Sequence, residues 1–383
     1  LTASPDRVEA KCKHFGICGG CSLQHLDPEK QILSKQDILL ENFSRIGKVQ
    51  PETILAPETG PYWGYRRKAR LGVKYVRKKE RVLVGFREKR NPFLADINQC
   101  EVLHPSVGLI IDDLASLIGS MEAYDRIAQI EVAVSDKATG LVFRNLEPLS
   151  EKDLKALTDF CTQRELYFYL QPAGPDSVEL IWPEREDDSE SQRPALSYRL
   201  EAHDTELWFE PTDFTQVNSE INQKMLNLAM ELLDLKKTDR VLDLFCGIGN
   251  FSLVLARYAV SVVGVEAEAK TVERAKMNAA CNNIENANFH VSDLYAELGK
   301  PEWAAQQYDK VLLDPPRSGA LEVLDLVASL NPEKIVYVSC HPGSLARDAG
   351  ALVNKHGYSL VSAGVMDMFP HTAHVESIAL FQK

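Results

Sequence analysis

The chain has 383 residues, of which 45% are hydrophobic, and a formal net charge of −12 at pH 7. A chain of this length can bury more than one core, so the composition predicts two or three domains. The acidic balance excludes a uniformly basic nucleic-acid binder. No apolar run has the length of a membrane span and no signal-peptide pattern opens the sequence, so we expect a cytoplasmic protein without a membrane partner.

Three of the eight cysteines lie within ten residues near the start, at Cys12, Cys18 and Cys21. In a cytoplasmic protein such crowding favours metal or cluster ligation over disulfides. The glycines between them allow the backbone to fold around an inorganic centre, which needs a fourth ligand from elsewhere in the chain. Cys100 is the nearest candidate. On chemistry alone, zinc fits four thiolates as well as an iron–sulfur cluster does.

A strongly basic stretch follows an amphipathic helix that hydrophobic spacing predicts over residues 28–46. Residues 62–90 contain twelve Lys and Arg against two Glu, which gives a local charge of +10. The aromatic residues interleaved with these cations are Tyr62, Trp63, Tyr65, Tyr75 and Phe86. Stacking faces beside phosphate-binding charges indicate a surface for unpaired RNA or DNA. The alternative is a solvated antiparallel sheet whose outward face is basic.

The middle of the chain, residues 101–205, carries no catalytic constellation. Its hydrophobic pattern predicts helices over 107–121 and 154–164 and strands near 130–134 and 141–145. We expect this region to be an α+β platform that helps to shape the substrate surface.

The last part of the chain alternates apolar strands with amphipathic helices. Its predicted strands are 240–245, 261–265, 288–291, 309–313 and 334–338. The alternation predicts an α/β fold with a doubly wound parallel sheet, whose ligands bind at the carboxyl ends of the strands. The predicted domains are therefore 1–60, a cysteine segment and helix; 61–205, a basic α+β domain; and 206–383, a catalytic domain.

A glycine turn that follows the first of these strands indicates a cofactor site. Gly247 and Gly249 leave backbone N–H groups free and let a ligand approach closely. Glu266 ends the next strand, about 20 residues after the glycine turn. A carboxylate at this position accepts a hydrogen bond from a ribose hydroxyl of the bound cofactor. Alone, this pattern also fits an ordinary connection between a strand and a helix.

Reactive side chains follow the later strands. Asp314-Pro315-Pro316-Arg317 comes after the fourth strand, Cys340 after the fifth, and Glu376 near the end of the chain. At the mouth of a cofactor sheet, this cysteine and glutamate suggest a nucleophile and a proton acceptor. Cys246, inside the glycine turn, is a competing nucleophile, but its place under the cofactor favours a packing role.

Taken together, these motifs resemble the S-adenosylmethionine-dependent RNA 5-methyluridine methyltransferases over nearly the whole chain. The matching features are the glycine turn, Glu266, Asp314-Pro315-Pro316-Arg317, Val338-Ser339-Cys340 and His374-Val375-Glu376-Ser377. The resemblance implies a Rossmann-like class I methyltransferase domain. It implies that Cys340 adds to carbon 6 of uracil and that Glu376 removes the carbon 5 proton. By position it assigns cofactor contacts to Gln216, Phe245, Asn250, Glu266, Asp293 and Asp314.

The amino-terminal cysteine block is specifically similar to a branch of this family that acts on 23S ribosomal RNA. That branch binds a [4Fe-4S] cluster, which the resemblance places on Cys12, Cys18, Cys21 and Cys100. The implied partner is 23S rRNA with a flipped-out uridine, at the uracil 1939 site, and we expect a monomeric enzyme. Another ribosomal uridine or the transfer-RNA T-loop stays open as the target. Members usually begin with a small TRAM domain, which this sequence lacks, so we expect that such a domain was trimmed or is absent.

Two other functions fit parts of the pattern. Asp-Pro-Pro followed by an aromatic residue is typical of amino-group methylation of adenine, but Arg317 takes that place here. A non-enzymatic iron–sulfur RNA-binding protein would retain the sheet only as a scaffold.

Overall fold

The computed structural model describes residues 2–185, 193–296, 299 and 301–383. Within this part of the chain the strands form three sheets, of eight, six and two strands. None of the described helices combines the length and apolar character that a membrane crossing needs.

The helices and strands follow one another in an order close to the predicted one. The helices are α1 (Pro28–Asn42), α2 (Pro105–Gly108), α3 (Ile111–Ser120), α4 (Glu151–Gln163), α5 (Ser219–Leu233), α6 (Ser252–Tyr258), α7 (Ala269–Cys281), α8 (Leu321–Ser329) and α9 (Pro342–Asn354). The strands are β1 (Thr53–Ile54), β2 (Lys68–Val76), β3 (Arg81–Gly85), β4 (Ile127–Val134), β5 (Thr139–Asn145), β6 (Leu166–Leu170), β7 (Glu179–Trp182), β8 (Leu196–Leu200), β9 (Thr205–Phe209), β10 (Arg240–Leu244), β11 (Ser261–Glu266), β12 (Ala287–Val291), β13 (Lys310–Leu313), β14 (Lys334–Ser339), β15 (Ser359–Met366) and β16 (Glu376–Gln382).

The large sheet is doubly wound, as the alternation predicted. Its parallel strands lie in the order β12-β11-β10-β13-β14. The chain winds from β10 towards one edge and then returns to β13 on the other side of β10. The carboxyl ends of β10 and β13 thus lie side by side at the point where the winding reverses, which is where such sheets bind ligands. The sequence did not predict β15 and β16, and β16 runs antiparallel to both β14 and β15.

Helices bury both faces of this sheet, which explains why its strands are almost continuously apolar. Helices α5, α6 and α7 cover one face. Helices α1, α8 and α9 cover the other, so a helix from the start of the chain forms part of the carboxy-terminal core. Helix α1 begins at Asp27, whose carboxylate accepts the N–H groups of Glu29 and Lys30, and Pro28 occupies its first turn.

The six-stranded sheet has the order β3-β2-β4-β5-β6-β7 and packs against α2, α3 and α4. The predicted strands near 130 and 141 and the helix at 154 are confirmed. The single helix predicted over 107–121 is instead two helices, because the chain turns at Leu109 and Ile110 between α2 and α3.

The amino-terminal segment contacts both larger units. The cysteine loop lies against the end of β3, since Gly19 N–H donates to Arg87 O at 2.8 Å and Lys89 N–H donates to Ile17 O at 2.7 Å. Helix α1 and β1, by contrast, pack on the large sheet, where β1 pairs with β15. The division of the chain at residues 60 and 205 remains a prediction.

Candidate active site

The glycine turn is open towards solvent and holds a strained backbone. Phe245 has a φ of 66°, unusual for a residue with a side chain. Its N–H and that of Cys246 both donate to Val265 O, at 2.9 and 3.1 Å. Gly247, with a φ of 54°, has no heavy atom within 4 Å of the position a Cβ would take. A ligand can therefore approach the backbone at Gly247 closely.

Glu266 lies at the end of β11 against this turn. Its carboxylate accepts hydrogen bonds from two backbone N–H groups, that of Gly247 at 3.2 Å and that of the next residue, Ala267, at 2.7 Å. These two donors fix the direction of the carboxylate while leaving further acceptor positions for ligand hydroxyls. The group therefore suits the ribose contact expected of it.

The side chain of Asn250 is engaged inside the protein. Its amide exchanges two hydrogen bonds with the amide of Asn222, at 2.9 and 3.1 Å, and its Oδ1 accepts the Tyr198 hydroxyl at 2.9 Å. The amide ties the start of α6 to α5 and β8. A contact of Asn250 with a cofactor would therefore involve its backbone more readily than its amide.

Asp293 lies in the loop after β12, with an exposed side chain that accepts the N–H of Tyr295 at 2.9 Å. The hydroxyl of Tyr295 in turn donates to Gly319 O at 2.8 Å, and its ring centroid lies 5.7 Å from that of Phe245. Tyr295 thus bridges the glycine turn and the loop after β13. Sequence reasoning missed this residue, because a tyrosine in a loop carries no motif.

A cleft of about 880 Å³ runs across the carboxyl ends of these strands. Asp293 is not part of its wall, although Ser292 and Leu294 on either side are. Phe214, whose side chain is 74% exposed, stands at the cleft and was also missed from the sequence. The predicted residues that line the cleft are Gln216, Phe245, Asn250, Glu266, Asp314, Cys340 and Glu376.

The pairing of β14 with β16 brings Cys340 and Glu376 together. Ser339 lies opposite Ser377 in the antiparallel ladder, and the Ser377 hydroxyl donates to Ser339 O at 3.1 Å. Cys340 follows Ser339, and Glu376 precedes Ser377, so the two side chains emerge at the same end of the strand pair. The predicted nucleophile and proton acceptor are therefore neighbours, although 36 positions separate them in sequence.

Burial raises the pKa values of the acids of this site. Burial, followed by repulsion from Asp314, raises the pKa of Glu376 to about 8. Burial likewise raises the pKa of Asp314 to about 7. Beneath the cleft, burial raises the pKa of Asp243 to about 8, and this carboxyl accepts a hydrogen bond from Ser252. At neutral pH the protein alone therefore holds extra protons here.

Cys340 shares this environment. Burial raises the pKa of its thiol to about 11, and the neighbouring Glu376 and Asp314 act in the same direction, whereas Arg317 partly offsets them. In the protein alone the thiol form predominates at neutral pH. The reactive thiolate expected from the sequence therefore requires a further positive charge or a base in the assembled complex.

Asp348, in α9, is a third residue that sequence reasoning missed. It is fully buried in α9 and accepts the Tyr337 hydroxyl at 2.6 Å and the N–H of Ala320 at 2.7 Å. It thereby fixes the loop that carries Arg317 against β14. Only burial distinguishes it from a surface aspartate.

A second pocket is lined by Cys12, Cys18, Cys21 and Cys100. Burial raises the pKa of Cys21 to about 11 and that of Cys100 to about 12. The N–H of Gly20 donates to the sulfur of Cys18 at 3.4 Å. In the described part of the chain, no three His, Cys, Asp or Glu side chains are placed to hold a single metal ion.

The aromatic residues of the basic stretch contact other parts of the protein, while their role as RNA-stacking faces remains a prediction. Tyr65 is 5% exposed and donates its hydroxyl to Pro370 O at 3.0 Å. Trp63 stacks on His371 with ring centroids 4.0 Å apart. Tyr75 packs edge-on against another tyrosine, and Phe86 lines the cysteine pocket. The sequence pattern could not distinguish these partners from bases.

The doubly wound sheet, its open glycine turn and the acid at the end of the second strand form a site of the kind that holds the ribose of a nucleotide-like cofactor. Among solved structures, a Pyrococcus abyssi tRNA (uracil-54, C5)-methyltransferase in complex with S-adenosyl-L-homocysteine has a similar fold. The TM-score is 0.72 at 24% identity, over 100% of this chain and 87% of the other.

Sequence comparisons define the family. The model of the tRNA (Uracil-5-)-methyltransferase family matches residues 177–383. Proteins named 23S rRNA (uracil(1939)-C(5))-methyltransferase RlmD from Alkalilimnicola ehrlichii and Nitrosococcus oceani are each 53% identical to this chain, covering 100% of it and 84% of each relative. The chain belongs to the RNA (uracil-5-)-methyltransferase family. This membership decides against both amino-group methylation of adenine and a non-enzymatic role.

Proposed function

We propose that the chain transfers a methyl group from S-adenosylmethionine to carbon 5 of one uridine in 23S ribosomal RNA. The observation that carries the proposal is the juxtaposition of Cys340 and Glu376 at the mouth of the cofactor cleft. Relatives at 53% identity over the full chain, named for the uracil 1939 site, support the choice of substrate. The target base must leave its stack to reach a pocket between strand ends.

Uracil needs covalent activation because its carbon 5 is a poor nucleophile. The Cys340 thiol loses its proton to solvent, the thiolate sulfur bonds to carbon 6, and the electrons of the 5,6 double bond form an enolate that is nucleophilic at carbon 5. When bound, S-adenosylmethionine supplies an electrophilic methyl group and a sulfonium cation. Glu376 must first release its own proton to solvent, and after carbon 5 has accepted the methyl group its carboxylate removes the carbon 5 proton. The electrons of that C–H bond re-form the double bond, and the bond between carbon 6 and sulfur breaks to release the Cys340 thiolate.

The cofactor contacts expected of Gln216, Phe245, Glu266 and Asp314 are supported by their place in the wall of one cleft. Glu266 would hold the ribose through the acceptor positions that the backbone N–H groups leave free. Asp293 would reach the adenine only from the rim, and Asn250 would contribute its backbone.

We also propose that the cysteine pocket holds a [4Fe-4S] cluster. The support for it is that four thiols line this one pocket, since such a cluster takes one cysteine per iron. Its role is structural or RNA-facing, since the methyl transfer moves no electrons between redox centres.

The experiment is methyl transfer from labelled cofactor to unmodified transcripts of 23S rRNA and of transfer RNA. We expect label at one uridine of 23S rRNA, none with Cys340→Ala, and unchanged transfer with Cys281→Ala, which removes a half-buried thiol from α7. Label in transfer RNA alone would overturn the substrate. Transfer that survives Cys340→Ala would overturn the covalent mechanism.

A further inference from the structure

The loop of residues 367–375 connects β15 to β16 and ends directly at Glu376. Phe369, within this loop, lines the cofactor cleft. The position of the Glu376 carboxyl therefore depends on where this loop lies. All of the tethers described next come from the first 65 residues of the chain.

The first tether is a buried ion pair. Lys35 on α1 donates to Asp367 Oδ1 at 2.6 Å and to Phe369 O at 3.0 Å. The side chains of Lys35 and Asp367 are only 2% and 1% exposed. The Asp367 N–H also donates to Glu58 O at 2.8 Å. A charge buried this completely holds its partner in one place, because leaving either group unpaired is unfavourable.

The second tether centres on His371, which has a φ of 65° and is 2% exposed. The backbone N–H of His371 donates to Gln31 Oε1 at 2.9 Å. The side-chain nitrogen of Gln31 lies 3.2 Å from the ring Nδ1 of His371. The N–H groups of Ser22 and Leu23 both donate to His371 O, at 2.8 and 3.0 Å. Ser22 follows Cys21 directly, so the tether continues the wall of the cysteine pocket.

The third tether is aromatic. Tyr65 donates its hydroxyl to Pro370 O, and Trp63 stacks on the ring of His371. The ammonium of Lys11 lies 4.8 Å from the centroid of the Trp63 ring. Three separate segments of the amino-terminal region thus hold one loop that leads to the catalytic strand.

We propose that Gln31 and Lys35 are positioning residues for proton removal, acting on Glu376 through the loop 367–375. They touch neither base nor cofactor. A proton acceptor must stand within about 3.2 Å of the heavy atom that carries its proton, and a displacement of about 1 Å can cost roughly 10²-fold in rate. The inference rests on the proposed function, because it assigns these residues to one step of that reaction.

The step can be isolated because it follows methyl transfer. If Glu376 is displaced while Cys340 is not, the methylated base stays bonded to Cys340, and the covalent enzyme–RNA species accumulates. A general loss of structure would instead lower adduct formation and methyl transfer together. The ratio of adduct to released product therefore separates positioning from stability.

The test compares Gln31→Met with Gln36→Met, both on α1. Gln36 is half-buried, and its Oε1 has no hydrogen-bond partner among the described residues, so its replacement removes the same amide without removing a hydrogen bond from that oxygen to the loop. Adduct is measured on denaturing gels with labelled RNA, beside single-turnover methyl transfer, the KM for RNA and the melting temperature. We expect Gln31→Met to slow product release by about 10- to 100-fold, with methyl transfer into the adduct and KM nearly unchanged, and Gln36→Met to match the wild type.

A second variant covers the case in which Gln31→Met does not fold. The double substitution Lys35→Met with Asp367→Leu replaces the buried ion pair by apolar side chains of similar size, a change that folds often tolerate. We expect the same accumulation of adduct. Equal release rates in folded variants and wild type, or loss of folding in both variants, would overturn the inference. An inactive wild type would instead count against the proposed function.

Discussion

The catalytic cleft and the cysteine pocket both bury ionisable groups, but the chain builds them differently. Asp314, Cys340 and Glu376 stand at the ends of three neighbouring strands of one sheet. Three of the four cysteines lie on one irregular loop, and Cys100 joins them from a turn before α2. Strand ends are fixed by ladder hydrogen bonds and by two helical layers. The loop has glycines and few regular hydrogen bonds.

This difference indicates that the cysteine pocket depends on a bound ligand for its structure, whereas the catalytic cleft does not. Burial raises the pKa values of Cys340 and Glu376 in one pocket and of Cys21 and Cys100 in the other. In each pocket these thiols and carboxyls therefore stay protonated at neutral pH unless a cation binds nearby. We expect the strand-built site to keep its structure when a reactive group is replaced and to lose only rate. The loop-built site should lose structure together with its metal.

The largest expected effect is on turnover in Glu376→Gln. Removing a proton acceptor costs roughly 10²- to 10⁴-fold in rate, while the neutral amide matches the protonated carboxyl that the protein alone prefers. Folding should be retained. Multiple-turnover methylation and thermal melting at pH 7 measure the two quantities. A variant that unfolds would break the comparison, because the strand-built site would then depend on this group for its structure.

A smaller effect on cofactor affinity is expected for Glu266→Ala. Hydrogen bonds to a charged group contribute about 1.5–3 kcal/mol, so the Kd for S-adenosylmethionine should rise by roughly 10- to 100-fold. Glu273→Ala is the matched control, since Glu273 is an exposed residue of α7 paired with Lys276. Titration calorimetry measures the Kd for S-adenosylmethionine in both variants. An unchanged Kd in Glu266→Ala would remove its assignment to the ribose.

For the loop-built site we expect Cys100→Ser to lose iron and stability together. The free energy of unfolding should fall by about 1–3 kcal/mol, in the range of buried substitutions. Cys281→Ser, on α7, should change neither quantity. Chemical analysis of iron and sulfide is compared with denaturant unfolding for both proteins. If Cys100→Ser kept its iron, Cys100 would not be the fourth ligand; if it lost iron at unchanged stability, the contrast between the two pockets would fail.

The smallest expected effect is a dependence of stability on pH in the protein alone. Since the folded-state pKa values of Glu376 and Asp314 are raised to about 8 and 7, the folded state binds more protons than the unfolded state between about pH 4.5 and 8. Stability should therefore fall as pH rises through this range, by roughly 1–3 kcal/mol between pH 6 and 9. Glu376→Gln should lower the slope of the profile, while the buried Asp314 and Asp243, whose pKa values are raised to about 7 and 8, retain the rest. S-adenosylmethionine should protect more at pH 9 than S-adenosylhomocysteine, which lacks the sulfonium charge; a flat profile in the wild type would refute the protonated state of the site.

Several features were predictable because their signals are local. The strands β10 to β14, their parallel alternation and the glycine turn follow from short apolar runs and turn residues. Glu266 ends β11 and Cys340 directly follows β14, and in a doubly wound sheet that position alone brings them to one edge. The cysteine block was equally visible, because three of its four cysteines lie close together in sequence.

Other features were decided only by the tertiary structure. The sequence does not predict that β16 runs antiparallel beside β14. That pairing places Glu376 next to Cys340. Tyr65 and Trp63 look like RNA-stacking residues in sequence but contact the loop 367–375. The buried pair of Lys35 and Asp367 joins positions 332 residues apart. The reason is physical: turn preference and hydrophobic period act within a few residues, whereas burial, and with it the pKa values of this site, depends on which distant segments exclude water.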